Sequence, residues 1–293
     1  MNQKKQLAQL NNGVKPPLKG QLLKWIGNKQ RMAEEIISFF PQSFGTYYEP
    51  FLGSGGVLGM LAPTKAVGSD VSAPLMEIWQ TLAISPNTVK KWYMERWYEM
   101  MDGDKVDGFE KIKARYNANP NGADLLFICR SCYGGVVRFR KRDGYISTPC
   151  GIHSPISPSS FADRVDTWRQ RIIGTKFKKM DYRKAMEMAV PKDLVYCDPP
   201  YRDTQAILYG AQKFSLEDLL ETIGESKKRG VFVALSIDGT KKSGNKVCNV
   251  PIPKGLFKRE FLIHYGSSML KRFQMNGKSL KSEHVADRLL LTF

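Results

Sequence analysis

The fold of this chain is indicated by one stretch, Leu194-Val195-Tyr196-Cys197-Asp198-Pro199-Pro200-Tyr201. Its first half is apolar, with β-branched and aromatic residues, and predicts a buried strand that ends at two prolines. Such a strand delivers its last residues to the carboxyl edge of a sheet, where open α/β proteins bind ligands. The prolines stiffen the turn and remove two N–H donors, leaving carbonyls, a carboxylate and an aromatic ring. These groups suit a flat molecule that carries an amino group, although a plain strand-ending turn has the same sequence pattern.

Composition restricts the class of protein. The chain has 293 residues, 42% of them hydrophobic, and a net charge of +17. This length accommodates one large domain with an insertion, or two domains. The excess positive charge predicts a polyanionic partner, most often nucleic acid, over a basic protein that has no such partner. No apolar run approaches the roughly 18 residues of a membrane span, so no membrane association is predicted.

The cysteines favour a reducing compartment. Five are scattered without regular spacing, which argues against a disulfide framework. Cys129 and Cys132 have the spacing of half a zinc site, but no second pair of ligands accompanies them. We therefore expect no metal.

A glycine-rich turn predicts a site for an adenosine-bearing cofactor. The segment from residue 47 to residue 57 has the pattern of a strand, a turn and a helix, and Gly53 and Gly55 would let a ligand approach the backbone. A second predicted strand ends at Asp70, where Rossmann-like folds hold ribose hydroxyls. The turn lacks the Gly-Lys-Ser/Thr ending of a P-loop, which disfavours a nucleoside triphosphate.

A basic hairpin is predicted within a mainly helical region. Asp143-Gly144 lies between two β-rich runs, a strong signal for a hairpin. Four of the five residues from Arg138 to Arg142 are basic, and Asp143 is the only acid between Leu125 and Ala162. Such hairpins can enter the major groove, where arginine reads guanine. A solvated charged hairpin is the alternative.

Alternation along the hairpin strand sorts its side chains onto two faces. Arg138, Arg140 and Arg142 share one face, and Phe139 lies on the other with Lys141. Because Phe139 is apolar, we expect it to pack on the protein and to turn the arginines toward DNA.

Taken together, these motifs resemble those of the Dam-type, alpha-group DNA adenine-N6 methyltransferases. They follow the family's order over roughly residues 20–293, and the spaced set is specific where a single motif is not. Two departures, Cys129-Arg130 in place of Asn-Arg and a loosely matching hairpin, leave the recognition sequence open. The matching motifs are Lys24-Trp25-x-Gly-x-Lys29, Glu49-Pro50-Phe51-x-Gly53-x-Gly55, Asp70, Tyr133-Gly134-Gly135 with its arginine hairpin and a following Pro-x-Gly, and Asp198-Pro199-Pro200-Tyr201.

The resemblance implies an α/β fold of the Rossmann-like, S-adenosylmethionine-dependent methyltransferase type. Its sheet would be mostly parallel and seven-stranded, with an antiparallel C-terminal strand. It also implies a basic N-terminal tail (1–19), a catalytic domain (20–84 and 174–293) and a mostly helical target-recognition domain that binds DNA and carries the β-hairpin (85–173).

The implied reaction transfers a methyl group from S-adenosyl-L-methionine to N6 of a flipped adenine in double-stranded DNA. The residues implied in catalysis are Asp198, Pro199, Pro200 and Tyr201; Asp198 and the Pro199 carbonyl would accept hydrogen bonds from the amino group, and Tyr201 would stack on the base. Those implied in cofactor binding are Trp25, Lys29, Pro50, Phe51, Gly53, Ser54, Gly55, Asp70 and Asp198. Those implied in DNA binding are Arg130, Arg138, Arg140, Lys141 and Arg142.

Three alternatives share parts of this pattern. An N4-cytosine methyltransferase usually has Ser in place of Asp198, and enzymes that methylate RNA or protein glutamine usually have Asn. A catalytically silent DNA-binding relative is expected to lose Asp198 or the glycine-rich turn. We expect a monomer in the cytoplasm of a bacterium or a phage-infected cell, with a cognate restriction endonuclease as a candidate partner.

Overall fold

The computed structural model describes residues 18, 20–140, 142–200, 214–241, 246–247, 251–267 and 284–293. The strands are β1 (Tyr47–Glu49), β2 (Ala66–Asp70), β3 (Thr175–Lys179), β4 (Leu194–Cys197), β5 (Phe232–Lys241), β6 (Lys246–Val247), β7 (Arg259–Ser267) and β8 (His284–Leu291). The helices are α1 (Ala33–Ser38), α2 (Gly56–Leu61), α3 (Ala73–Ile84), α4 (Pro86–Met101), α5 (Lys105–Ala118), α6 (Gly122–Ser131), α7 (Pro158–Arg171), α8 (Tyr182–Glu187) and α9 (Leu216–Lys228).

A single sheet organises these elements. Its seven-strand path has the order β3-β2-β1-β4-β5-β8-β7, and the two-residue β6 pairs with β5 outside this path. The five strands from β3 to β5 are parallel, whereas β8 runs antiparallel to both β5 and β7. The mostly parallel sheet with antiparallel C-terminal strands predicted from the sequence is therefore confirmed.

The central strands β1, β2 and β4 form because short, mainly apolar runs are buried on both faces of the sheet. All four residues of β4 are buried, as its apolar sequence predicted. One face packs on the larger apolar cluster, which extends into the helices, and the other packs on α8 and α9 through Met186, Leu219 and Ile223. The strand ends are thus held rigidly, which fixes the residues that follow them.

Helices α4 to α7 lie between β2 and β3 in the chain. Helix α3 packs on β3 and also on α4 and α6, and α4 packs on α5, α6 and α7. Side-chain caps define where the helices begin: Asp104 accepts backbone N–H groups at the start of α5, and Asn121 does so for α6. None of the helices in the described ranges is long and apolar enough to cross a membrane.

The predicted hairpin forms a chain reversal rather than a pair of continuous strands. Among the described residues its strand pairing consists of two isolated antiparallel bridges, Phe139 with Ile146 and, at its base, Cys132 with Cys150. Beside these bridges, two backbone N–H groups bond to side chains instead of to the opposite strand. The Arg138 N–H donates to the Thr148 hydroxyl at 2.8 Å, and the Ile146 N–H donates to the Asn117 side-chain oxygen at 2.7 Å. Phe139 packs against the core, as the alternation predicted.

Candidate active site

A cavity of about 690 Å³ opens at the carboxyl edge of the sheet. Its walls come from the residues that follow β1, β2, β3 and β4, with a further wall from the segment around Trp25. This edge is where open α/β sheets bind ligands, close to the point where the strand order reverses. Phe139 and Gly144 of the chain reversal also line the cavity, which brings that region to the same opening.

The glycine-rich turn holds its shape only with glycine at two positions. Gly53 and Gly55 have φ angles of 47° and 60°, in the left-handed region that other residues rarely adopt. A Cβ at Gly53 would lie 3.3 Å from the Trp25 indole, and one at Gly55 would lie 3.0 Å from the Trp79 ring. The turn therefore leaves backbone exposed to the cavity without side chains in the way.

Asp70 joins this turn to the end of β2. Its carboxylate accepts hydrogen bonds from the Gly53 N–H at 3.3 Å and from the Ser72 N–H at 3.1 Å. Burial raises the pKa of Asp70, and these N–H groups oppose the rise. The acid is thus oriented at the cavity wall beside the glycine-rich turn.

Lys29 links two carboxylates from distant parts of the chain. Its Nζ lies 2.9 Å from Asp198 Oδ1 and 3.4 Å from Asp287 Oδ2, and it donates to the Gly27 carbonyl at 3.2 Å. The side chain is 4% exposed. Burial alone would lower the pKa of Lys29, but the two carboxylates raise it above its usual range. Lys29, Asp198 and Asp287 form a buried ionic cluster that fixes the Asp198 carboxylate.

Glu49 lies beside this cluster at the end of β1. It is buried, and the Tyr47 hydroxyl donates to its Oε2 at 2.7 Å. Burial, together with the charge of Asp198, raises the pKa of Glu49 to about 8. Glu49 is therefore mostly protonated at neutral pH, so the charged side chains among the described residues of the cavity wall are Lys29 and Arg183 against Asp70, Asp181 and Asp198, a net charge of minus one.

Aromatic rings line the other end of the cavity. Phe51 stacks on Tyr182 with ring centroids 5.1 Å apart, and Phe214 meets Phe51 edge-on at 5.7 Å. Burial raises the pKa of Tyr182 to about 12, and its hydroxyl is buried with no hydrogen-bond partner in the described part of the chain. Asp181 caps α8 and lines the cavity next to these rings. This end of the cavity offers a flat apolar surface with polar groups beside it.

The cavity collects most of the residues predicted for cofactor binding and catalysis. Gly55 and Pro199 stand next to lining residues without lining it, and Tyr201 lies outside the described residues. The predicted residues that line it are Trp25, Lys29, Pro50, Phe51, Gly53, Ser54, Asp70, Asp198 and Pro200.

Four lining or supporting residues were absent from the prediction. Asp181 and Tyr182 follow β3, just as other site residues follow β1, β2 and β4. Their position after a predicted strand could therefore have identified them from the sequence. Glu49 lay within a quoted motif. Asp287 is a buried acid within a strand, and a buried strand acid needs a partner.

The residues predicted to bind DNA do not lie together. Arg138 is exposed, whereas Arg140 and Arg142 pair with Asp143 at 2.8 Å and 3.1 Å. Arg130 lies apart from them, and its Nη1 donates to the carbonyls of Gln21 and Leu22 at 2.8 Å and 3.0 Å. It ties the end of α6 to the N-terminal segment. Lys141 is outside the described residues.

Comparison with known proteins decides the family. Residues 25–250 match the family model described as D12 class N6 adenine-specific DNA methyltransferase, well over half of the chain. The chain belongs to this family. The predicted activity, methylation of adenine N6 in DNA, is therefore confirmed, and the N4-cytosine alternative is set aside.

Relatives of this methyltransferase have concordant names. The Type II methyltransferase M1.LlaDCHI of Lactococcus lactis subsp. cremoris is 24% identical over 291 residues, 92% of this chain and 93% of the relative. The DNA adenine methylase of Haemophilus influenzae is 23% identical over 240 residues, 75% of this chain and 81% of the relative. The DNA N-6-adenine-methyltransferase of Escherichia phage P1 is 22% identical over 230 residues, 74% of this chain and 30% of the relative.

Proposed function

We propose that this D12-family methyltransferase takes S-adenosyl-L-methionine as its methyl donor and brings a flipped adenine to Asp198 in the same cavity. The observation that carries the proposal is the buried ionic cluster, in which Lys29 holds Asp198 Oδ1 at 2.9 Å at the carboxyl edge of the sheet. A carboxylate fixed in this way is prepared to accept a hydrogen bond from an amino group without reorganising.

The cavity fits the proposed cofactor in shape and in charge. A Cβ at Gly53 would project toward the Trp25 indole, so glycine keeps the backbone open to a ligand. Asp70 is placed to accept hydrogen bonds from ribose hydroxyls, and the Phe51–Tyr182 stack offers a surface for an adenine ring. The Tyr182 hydroxyl, buried and with no partner among the described residues, is available to such a ligand. When bound, the cofactor would supply a methyl group on a positively charged sulfonium, which the net negative charge of the cavity complements.

The proposed binding role extends to the rest of the predicted set. The glycine-rich turn would contribute Pro50, Phe51, Gly53, Ser54 and Gly55, and Trp25, Lys29, Asp70 and Asp198 would complete the cofactor site. We add Asp181 and Tyr182 to the proposed cofactor site, because both line the same cavity.

The chain's own contribution to the reaction is positioning and charge stabilisation. The amino lone pair of adenine is delocalised into the ring, so hydrogen bonds from N6 to Asp198 and to the Pro199 carbonyl would favour a more tetrahedral nitrogen. Asp198 would also stabilise the positive charge that develops on N6. Pro199 and Pro200 lack N–H groups and hold the turn rigid, while Tyr201 would stack on the base. Exclusion of water from this pocket would strengthen each of these interactions.

We assign DNA binding to a target-recognition domain at residues 85–173, and catalysis to residues 20–84 and 174–293. Arg138 is exposed and forms no ion pair among the described residues, so it is best placed to read a base, whereas Arg140 and Arg142 would have to exchange Asp143 for DNA. Lys141 and the tail at residues 1–19 would add phosphate contacts. Arg130 would support DNA binding from inside the protein, where it holds the N-terminal segment through the Gln21 and Leu22 carbonyls.

The net charge and the names of the relatives bear on the form of the DNA substrate and on a partner. Double-stranded DNA is the proposed substrate form, because the net charge of +17 suits a dense polyanion. The name type II methyltransferase, carried by three of the relatives, supports a cognate restriction endonuclease as a partner. We propose a monomer that acts in the cytoplasm of a bacterium or a phage-infected cell.

Two measurements test this proposal. Equilibrium dialysis with labelled S-adenosyl-L-methionine should show saturable binding, and methylation-sensitive sequencing of DNA from expressing cells should show N6-methyladenine at one sequence. The absence of saturable binding would remove the cofactor assignment. Modification of cytosine instead of adenine would remove the proposed role of the Asp198 turn.

A further inference from the structure

A second cavity, of about 360 Å³, lies on the other side of the N-terminal segment from the active-site cavity. Four of the eight residues that line it are basic: Lys24, Arg31, Arg130 and Arg164. Among the described residues of its wall, none is acidic. We refer to these four residues as the basic pocket.

The positive charges of the basic pocket are not neutralised by the protein. Within the described ranges, none of the four residues forms an ion pair with an acid. Partial burial and the charges of Arg130 and Arg164 lower the pKa of Lys24, and burial together with Arg164 lowers the pKa of Arg130. Burial is the largest cause in each case, and the neighbouring cations add repulsion that an anion placed between the side chains would relieve.

The two guanidiniums at the back of the pocket are already oriented. Arg130 is 4% exposed; its Nη1 donates to the Gln21 and Leu22 carbonyls, and its Nε is buried with no hydrogen-bond partner among the described residues. Arg164 Nη1 donates to the same Gln21 carbonyl at 3.3 Å. An arginine that is held in place loses little freedom when it binds, and its planar fork matches the oxygens of a phosphate.

The basic pocket shares a wall with the active site. Along one short segment, Trp25 and Lys29 line the active-site cavity, whereas Lys24 and Arg31 line the basic pocket. The stem of Lys24 also packs on Gly135, where an added Cβ would lie 2.9 Å from it. An anion in the pocket would therefore lie between the active site and the start of the basic chain reversal.

We infer that the basic pocket binds a phosphate of the DNA backbone beside the target adenine. This inference rests on the proposed function, in which the duplex is presented to the neighbouring cavity. The phosphate contact carries no sequence information; it fixes the register of the duplex so that one base faces Asp198.

The test is the salt dependence of DNA binding in Arg31→Gln and Arg164→Gln. Each variant should weaken binding to all duplexes alike, by roughly eightfold at 0.1 M salt, and should lower the slope of log affinity against log salt by about one. Arg164→Lys, which keeps the charge, should retain most of the slope. The matched control is Lys228→Gln, an exposed charge at the C-terminal end of α9, near the opposite edge of the sheet.

Three outcomes would overturn the inference or separate it from the proposed function. If both arginine variants keep the slope of Lys228→Gln while binding labelled S-adenosyl-L-methionine normally, the pocket does not hold DNA. If inorganic phosphate binds the wild type but not Arg164→Gln, and the DNA slope is unchanged, the pocket serves a free anion and the DNA assignment fails. If the slope falls as expected but the wild type methylates no DNA, the phosphate site stands and the proposed function fails.

Discussion

Lys24 and Lys29 lie on one short segment, yet their surroundings are opposite. Lys29 is buried between Asp198 and Asp287, whereas Lys24 adjoins the guanidiniums of Arg130 and Arg164. A buried cation that is paired within the protein holds its partner carboxylates in position, and its removal leaves their charges without compensation. Among the described residues the charged side chains around Lys24 are other cations, so an anion from outside the protein would stabilise it. The two sides of this segment thus separate chemistry from DNA binding.

The largest expected effect is on the paired side. Asp198→Ala should abolish methyl transfer while DNA affinity stays within about twofold, because the phosphate and base contacts come from other residues. Methyl transfer from labelled cofactor and a DNA-binding titration would measure the two properties separately. Asp166→Ala, an exposed carboxylate on α7, is the control and should leave both unchanged. Retained turnover in Asp198→Ala would remove Asp198 from the mechanism.

The two lysines should differ sharply in their effect on stability. Lys29→Met leaves two carboxylates without their cation and should lower the free energy of unfolding by about 3–5 kcal/mol. Lys24→Met removes repulsion and should change it by less than about 0.5 kcal/mol. Urea unfolding of both variants measures the difference. Equal destabilisation would show that Lys24 is paired as tightly as Lys29.

Asp70 tests the cofactor end of the paired side. Asp70→Ala should weaken binding of S-adenosyl-L-methionine by about 1.5–3 kcal/mol, through lost charge-assisted hydrogen bonds to ribose hydroxyls. Loss of the Gly53 and Ser72 contacts would add to the effect. Equilibrium dialysis gives the dissociation constant, with Asp163→Ala on α7 as the control. An unchanged constant would leave Asp70 as an acid that only stabilises the turn.

Glu49 gives the effect that depends on pH. Its pKa in the folded chain is about 8, above its ordinary value of 4.5, so between these values the folded chain retains a proton that the unfolded chain has released. The free energy of unfolding should therefore fall by up to about 1.4 kcal/mol per pH unit as the pH rises through this window, and level off above it. Glu49→Gln should remove that contribution to the slope. Identical slopes for wild type and variant from thermal unfolding at pH 6 to 8 would place the Glu49 pKa outside the window.

Local sequence predicted the parts of the site that follow strands directly. The glycine-rich turn, Asp70 and the Asp198 turn could be identified because each is a contiguous signal at a strand end, and parallel strands bring such ends to one edge. The mostly parallel seven-stranded sheet and its antiparallel C-terminal pairing followed from the same patterns, through the resemblance they supported.

The remaining features depend on contacts between distant segments. Asp287 reaches Lys29 only because β8 inserts between β5 and β7, and no local pattern records that insertion. The proton on Glu49 depends on its burial next to Tyr47 and Asp198. From the sequence, Arg130 could not be distinguished from the hairpin arginines that were also predicted to bind DNA. In the fold its side chain points inward and donates to the Gln21 and Leu22 carbonyls.

The most direct test of this division measures two properties in Lys29→Met and Lys24→Met, at a temperature where both bind labelled cofactor. The properties are the single-turnover methylation rate at saturating DNA and the salt slope of DNA binding. We predict that Lys29→Met lowers the rate and keeps the slope, and that Lys24→Met keeps the rate and lowers the slope by about one. If both variants change both properties to the same extent, the segment does not separate chemistry from DNA binding.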